Sequence, residues 1–280
     1  MTGLSRRRFL VGLVTGIGMG AAGAAATWFN RRGDGPPPPT GTKPAAITAL
    51  STTTTTAQAT TTTTATITTT TPVAAVVIPV ICRDAWGAQP STGDYVEHQV
   101  TRITIHHTAR LLEANSAAPA RLRQHQEYHQ GLGWPDLAYH YVVDAAGNVY
   151  EGRPVTAKGD TATEYDPAGH LLVCCEGNFD EQEIPQHQYD ALVRVLAWAC
   201  AEFGIDPRAI TGHRDHAATS CPGKALYRTL AAGALEAAVG GYAAEKFQLE
   251  SLCGEPGRAA VGDIEAGKLN TGNQSPASDV

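Results

Sequence analysis

Between Val76 and Val239 the spacing of apolar and polar positions changes several times, and each change marks an element. Arg102-Ile103-Thr104-Ile105-His106 alternates with period two and predicts a strand. Ala117–His129 follows the helical period, with Ser116 placed to cap it. Tyr139–Val143 and Asn148–Tyr150 flank Asp144-Ala145-Ala146-Gly147, the signature of a hairpin. Leu171–Cys175 is apolar without alternation, as in a strand buried on both faces. Tyr189, Leu192, Val193, Leu196, Cys200 and Phe203 fall on one helical face, and Gly204 ends it. Ala209–Thr211 is a short strand, and Leu226–Leu235 marks a last helix. Strands and helices intermix, so the fold class is α/β: a single domain with a mixed central β-sheet flanked by helices.

Outside this stretch the pattern fails. Residues 27–77 run through four consecutive prolines and then Thr/Ala repeats, with too few large apolar side chains to offset the entropy of ordering them. They predict a disordered spacer. Residues 240–280 are rich in Gly, Ala and Glu, open with at most a short helix, and predict a loose tail. The folded domain is therefore expected over 78–239. At the N-terminus, residues 1–26 place Arg6-Arg7-Arg8 ahead of an apolar run and small residues at Ala24-Ala25-Ala26. This reads as an export signal of twin-arginine type, recognised by the export machinery that carries folded proteins. The expected location is the cell envelope or the exterior. Membrane contact is expected only if the N-terminal apolar segment is retained as an anchor.

The chain of 280 residues carries a formal charge of −6, but that average conceals the basic head. Beyond residue 34 remain 16 basic and 26 acidic residues, a formal −10. Such a body is unsuited to nucleic acid or an anionic membrane surface. Six cysteines are too few for a disulfide-built miniprotein. A Cys82–Cys253 bridge is open to an exported chain, though the pattern does not call for it, and Cys200 and at least one of Cys174 and Cys175 read as buried apolar residues.

Two places can carry chemistry. His106-His107 ends the first strand, where alternation lets only one of the pair face a given site. His213 follows a strand, and Cys221 lies eight residues later in a loop. Neutral imidazole and thiolate are preferred zinc ligands, and two His with one Cys leave a fourth position open, as in catalytic sites. The residues by themselves equally permit a buried thiol beside a solvent-facing histidine.

Several segments together resemble the zinc-dependent type 2 N-acetylmuramoyl-L-alanine amidase and peptidoglycan recognition protein family. They are Arg83–Ala88, Ile103–Ala109, Gly133–Tyr141, Gly147–Arg153, Glu176–Phe179 and Gly212–Gly223, in order along the chain. The resemblance implies one catalytic Zn2+ held by His106, His213 and Cys221. It places Tyr139 beside the reacting water and Thr219 near the reacting carbonyl oxygen. The implied reaction is hydrolysis of the amide between N-acetylmuramic acid and L-alanine, with peptidoglycan or muropeptides as substrate. Members that only bind peptidoglycan typically lack the cysteine, so Cys221 favours hydrolysis. The alternatives are a recognition module that cuts little, or an amidase of soluble anhydromuropeptides. His107 is expected to point away from the metal, and Trp86 and Trp134 to pack. Asp136 reads as a turn or supporting carboxylate, Arg153 and Arg214 as structural or substrate-facing, and Asn178 as a minor candidate for peptide contact. Pro154-Val155 stands where many members have Gly-Trp, and Lys158-Gly159-Asp160 where many have Gly-Ala-His. Stem-peptide preference is open on that account.

Overall fold

The computed structural model describes residues 75–268. The export signal over 1–26, almost all of the spacer over 27–77 and the last part of the tail lie outside the described residues. Seven strands form one sheet: β1 (Val76–Ile81), β2 (Arg102–His107), β3 (Tyr141–Val143), β4 (Val149–Glu151), β5 (His170–Cys175), β6 (Ile210–Gly212) and β7 (Phe247–Leu252). Their order is β6-β2-β5-β3-β4-β1-β7. Every neighbouring pair is parallel except β3 and β4, the hairpin expected from the Asp144–Gly147 turn. The helices are α1 (Arg83–Trp86), α2 (Ala118–Gly131), α3 (Gln186–Phe203), α4 (Lys224–Ala231), α5 (Ala234–Gly240) and α6 (Gly254–Glu265).

The sheet separates two apolar layers, and strand alternation assigns each side chain to one of them. Ile103 and Ile105 of β2 lie beside Leu171 and Val173 of β5 and pack on Leu192, Val195 and Leu196 of α3, with α4 and α5 adding Leu226, Leu235 and Val239. Val142, Tyr150 and Cys174 project to the opposite layer, against Trp86, Leu122 of α2, and Val261 and Ile264 of α6. β5 is buried along its whole length because both layers cover it, which is why its sequence does not alternate.

Three expectations need correction. Ser116 does not cap α2: a 3-10 turn over Asn115–Ala117 leads into the helix, Ala117 takes the cap position, and Asn115 is held by Asp144 instead. The last helix is two, broken at Gly233, whose φ of +69° the helix cannot continue through. The tail is not loose over its first part. β7 pairs with β1 from Val76↔Phe247 to Ile81↔Leu252, and α6 buries Val261 and Ile264. A disulfide joins Cys82 to Cys253 across a sequence separation of 171. The folded unit therefore continues well past residue 239. Cys174, Cys175 and Cys200 are free and buried, as expected.

Two histidines are built into this fold as neutral groups. His140 is fully buried, its Nε2 donating to the carbonyl of Ala157 and its Nδ1 accepting from the amide of Leu172. Burial pushes its pKa down to about 3, and burial, helped by His216 and Arg102, pushes His170 down to about 4. In the unfolded chain both titrate near 6.5, so unfolding takes up protons between those values. Their stabilising contribution is complete above about pH 6.5 and is lost as pH falls toward 4. Thermal unfolding followed from pH 7 to pH 4 should show a falling Tm. His140→Gln should remove about one proton from the uptake on unfolding; an unchanged uptake would count against a neutral buried His140.

Candidate active site

The site begins with a register. β2 pairs with β6 so that Ile105 lies opposite Gly212. His106 and His213 are the next residues on each chain, and their ring centroids are 4.7 Å apart. His106 projects to the layer of α2, while His213 opens a 3-10 turn over His213–Asp215. That turn is fixed by the amide of Gly212 donating to Asp215 Oδ2 at 2.7 Å and by the amide of Arg214 donating to the Cys221 carbonyl at 2.9 Å. The returning loop carries Cys221 under the end of β2, where the His107 amide donates to its Sγ at 3.4 Å. Gly223 makes this return passable. Its φ is +88°, and a Cβ there would lie 2.6 Å from the Phe179 backbone and 2.8 Å from His107 Nδ1.

One ligand atom each from His106, His213 and Cys221 falls within 4.8 Å of the others, and all three residues are buried. Burial holds His106 well below the ordinary histidine range and, with His216 and His107 adding to it, pushes His213 down to about 4. Both imidazoles are thus neutral, the form that binds metals. Burial also pushes the Cys221 thiol up to about 12, with the His107 amide and Arg214 opposing it. His106 Nε2 is buried without a hydrogen-bond partner among the described residues. Cys221 Sγ and His106 Nδ1 are 3.6 Å apart. Two donors on a tetrahedral zinc ion, at about 2.3 Å for sulfur and about 2.0 Å for nitrogen, are separated by about 3.5 Å. Donor chemistry and spacing both fit zinc. The other grouping of cysteine and carboxylate, Cys82, Asp84 and Cys253, has both sulfurs in the disulfide.

The cluster forms the floor of a cleft of about 300 Å³. Tyr139 and Thr219 both line it. The Tyr139 ring is 5.4 Å from that of His106, and burial, with Cys174 adding to it, keeps the phenol protonated far above neutral pH. Thr219 Oγ1 accepts from the amide of Cys221 at 3.2 Å. His107 turns to the other layer, its Nδ1 accepting from the Phe179 amide at 3.3 Å. Trp86 is buried packing, whereas Trp134 lines the cleft against His129, 4.9 Å between centroids. Arg153 is buried and donates to the carbonyls of Leu137, Asp136 and Lys158, so it is structural. Arg214 stacks on Tyr227 and donates to the Ser220 carbonyl, fixing the cysteine loop. Asp136 supports α2 and its surroundings through Gln126, Tyr95 and Arg83. Asn178 caps its own turn by accepting from the amide of Asp180 and does not line the cleft.

Sequence reasoning did not find the partner that orients His213. Thr163 Oγ1 lies 2.8 Å from His213 Nε2, and Thr161 Oγ1 is 2.7 Å from Thr163 Oγ1. With Nε2 engaged by Thr163, Nδ1 is the ring nitrogen that this hydroxyl pair leaves unoccupied. A second unforeseen group is Glu176, buried at the end of β5, whose Oε2 accepts from His125 Nε2 at 3.0 Å on the cleft wall. Neither threonine belongs to a quoted motif, and only their polar, β-branched spacing ahead of Tyr165 hinted at them.

Residues 96–224 match the N-acetylmuramoyl-L-alanine amidase family. Peptidoglycan-recognition protein SD of Drosophila melanogaster is 31% identical over 155 residues, which cover 54% of this chain and 83% of that protein. The crystal structure of the Drosophila SD protein superposes with a TM-score of 0.51 at 28% identity, covering 55% of this chain and 93% of that one. The ectodomain complex of peptidoglycan recognition proteins LCa and LCx with bound tracheal cytotoxin superposes with a TM-score of 0.50 at 25% identity, covering 55% and 95%.

Thr163→Val should weaken uptake of Zn2+ or Co2+ about ten- to a hundredfold, the usual cost of removing a group that orients a ligand histidine. Titration with Co2+, followed through its thiolate absorption band, measures this directly. An unchanged affinity would leave Thr163 without a role at His213.

Proposed function

Because the chain belongs to the N-acetylmuramoyl-L-alanine amidase and peptidoglycan recognition protein family, we propose that it is a zinc hydrolase that cuts the amide between N-acetylmuramic acid and L-alanine in peptidoglycan. The observation that carries this reading is Cys221 gathered with His106 and His213 at the floor of an open cleft. When bound, zinc supplies a Lewis acid and brings the ionisation of its water near neutral pH.

The chain's own groups do the rest. His106 and His213 are held neutral, and Thr163 fixes the ring of His213. Tyr139 remains a phenol at neutral pH, so it orients the reacting water as a donor rather than acting as a base. Thr219 Oγ1 already accepts from the Cys221 amide, which leaves its hydroxyl proton free to donate to the amide oxygen as negative charge develops there. A recognition module is the competing reading, favoured by relatives whose names describe recognition and by the tracheal cytotoxin bound in the LCa–LCx complex.

Export by the twin-arginine machinery to the envelope or exterior is part of the same proposal. The Cys82–Cys253 disulfide supports it, since such bonds persist in oxidising compartments. No described helix is long and apolar enough to cross a membrane.

Cleavage, binding, localisation and disulfide mapping test this reading. The unmutated protein should release free stem peptide from purified sacculi, and Cys221→Ala should lose at least a hundredfold of that activity by order of magnitude. Undiminished cleavage by the variant would overturn the mechanism, and tight muropeptide binding without cleavage by the unmutated protein would favour recognition. Changing Arg6 and Arg7 to Lys should hold the protein in the cytoplasm. Mass spectrometry under non-reducing conditions should find Cys82 linked to Cys253 only in the exported form.

A further inference from the structure

The cleft contains one charge that nothing in the fold uses. Arg110 lines it, is exposed, and has no ion pair or hydrogen bond among the described residues. Its surroundings make that unusual. Asp160, the other side chain of fixed charge on the wall, is paired with Arg153 at 2.7 Å. His125, also on the wall, faces Glu176. Beyond residue 34 the chain is acidic, with 26 acids against 16 bases, yet no acid has been brought to Arg110.

The backbone holds this side chain in place. Ala109 has a φ of +55°, and no other described residue apart from glycine has a positive φ. A left-handed alanine persists only where its surroundings impose it. They do so on both sides. Thr108 is tied to β5 by its amide, which donates to the Cys175 carbonyl at 3.1 Å, and by a hydroxyl that accepts from the Gly177 amide at 3.0 Å. On the far side, the Leu111 carbonyl accepts from the Arg121 guanidinium at 3.5 Å. Ala109 thus lies between two tethered neighbours, and the next residue, Arg110, lines the cleft.

A guanidinium presents paired donors that match a carboxylate, and a site of otherwise uncharged or paired groups offers it no other anion. We propose that Arg110 is a specificity-determining residue that binds the free α-carboxylate of the second residue of the stem peptide. This rests on the amidase-family reading of the cleft. In that substrate the residue after L-alanine is a glutamate joined through its side chain, so its α-carboxyl is either free or amidated. Arg110 follows the end of β2 by three residues and lines the same cleft as the three candidate metal ligands without being one of them.

The test uses two muropeptides identical except for a free acid or a carboxamide at that position. Binding is measured calorimetrically on the zinc-free protein, which leaves both ligands uncut, and hydrolysis by product analysis on the zinc-loaded protein. The unmutated protein should bind the free acid about tenfold more tightly, with the preference shrinking as salt is raised. Arg110→Gln should bring the ratio close to one, mainly through KM rather than kcat in the hydrolysis assay. Arg110→Lys should retain part of it, since the charge remains and the fork is lost. Arg208→Gln, which removes a surface charge paired with Asp206, should leave the ratio intact. Equal binding of the two ligands by the unmutated protein, or an undiminished preference in Arg110→Gln, overturns the proposal. If neither ligand is hydrolysed, the amidase reading fails while the binding ratio still decides the role of Arg110.

Discussion

The pairing of β2 with β6 is the constraint on which the site depends. Because Ile105 is opposite Gly212, the residues that follow, His106 and His213, arrive side by side. A slip of one position would turn His106 into the α3 layer and bring His107 up in its place. The slip is prevented by the same strand's apolar residues. Ile103 and Ile105 must meet Leu171, Val173 and α3, so core packing and ligand placement are set by one register. Cys221 comes from a loop, but its backbone is tied to the 3-10 turn of His213 and its sulfur to the His107 amide. All three donors thus hang from the ends of two adjacent strands.

Burial, which follows from that placement, decides the electrostatics. The histidines lose their affinity for protons, and the thiol gains affinity for its own. A pocket with two lone pairs and one displaceable proton is suited to a divalent cation, since a bare thiolate would be costly there. The hydroxyl network of Thr161 and Thr163 completes the arrangement by choosing which nitrogen of His213 stays available.

Much of this was legible in the sequence, for physical reasons that also explain the omissions. The alternation of 102–106, the unbroken apolar run of 171–175 and the turn at Asp144–Gly147 each follow one local rule, and each element is where that rule puts it. His106 near the end of β2 and His213 just past β6 share the cleft with Tyr139, Thr219 and Cys221, which come from loops. Thr163 was hidden because a hydrogen bond to a residue 50 positions away leaves no periodic trace. The C-terminal segment was misread because its signals are thin. In β7 only Phe247, Leu249 and Leu252 point inward, and α6 contributes little more than Val261 and Ile264 to the core. The disulfide and the pairing to β1 supply what this composition lacks.

That C-terminal strand changes what the sheet shows to its neighbours in solution. Without it the sheet would end on Val76-Val77-Ile78-Pro79-Val80-Ile81, an apolar edge with unpaired backbone groups, of the kind that adds strands from other chains. β7 takes up that hydrogen bonding and presents Gln248 and Glu250 outward instead. The Cys82–Cys253 bond fastens the cover at the point where both strands end. A segment that contributes nothing to the cleft thereby replaces an all-apolar edge strand with one that carries polar side chains at every second position of its first half.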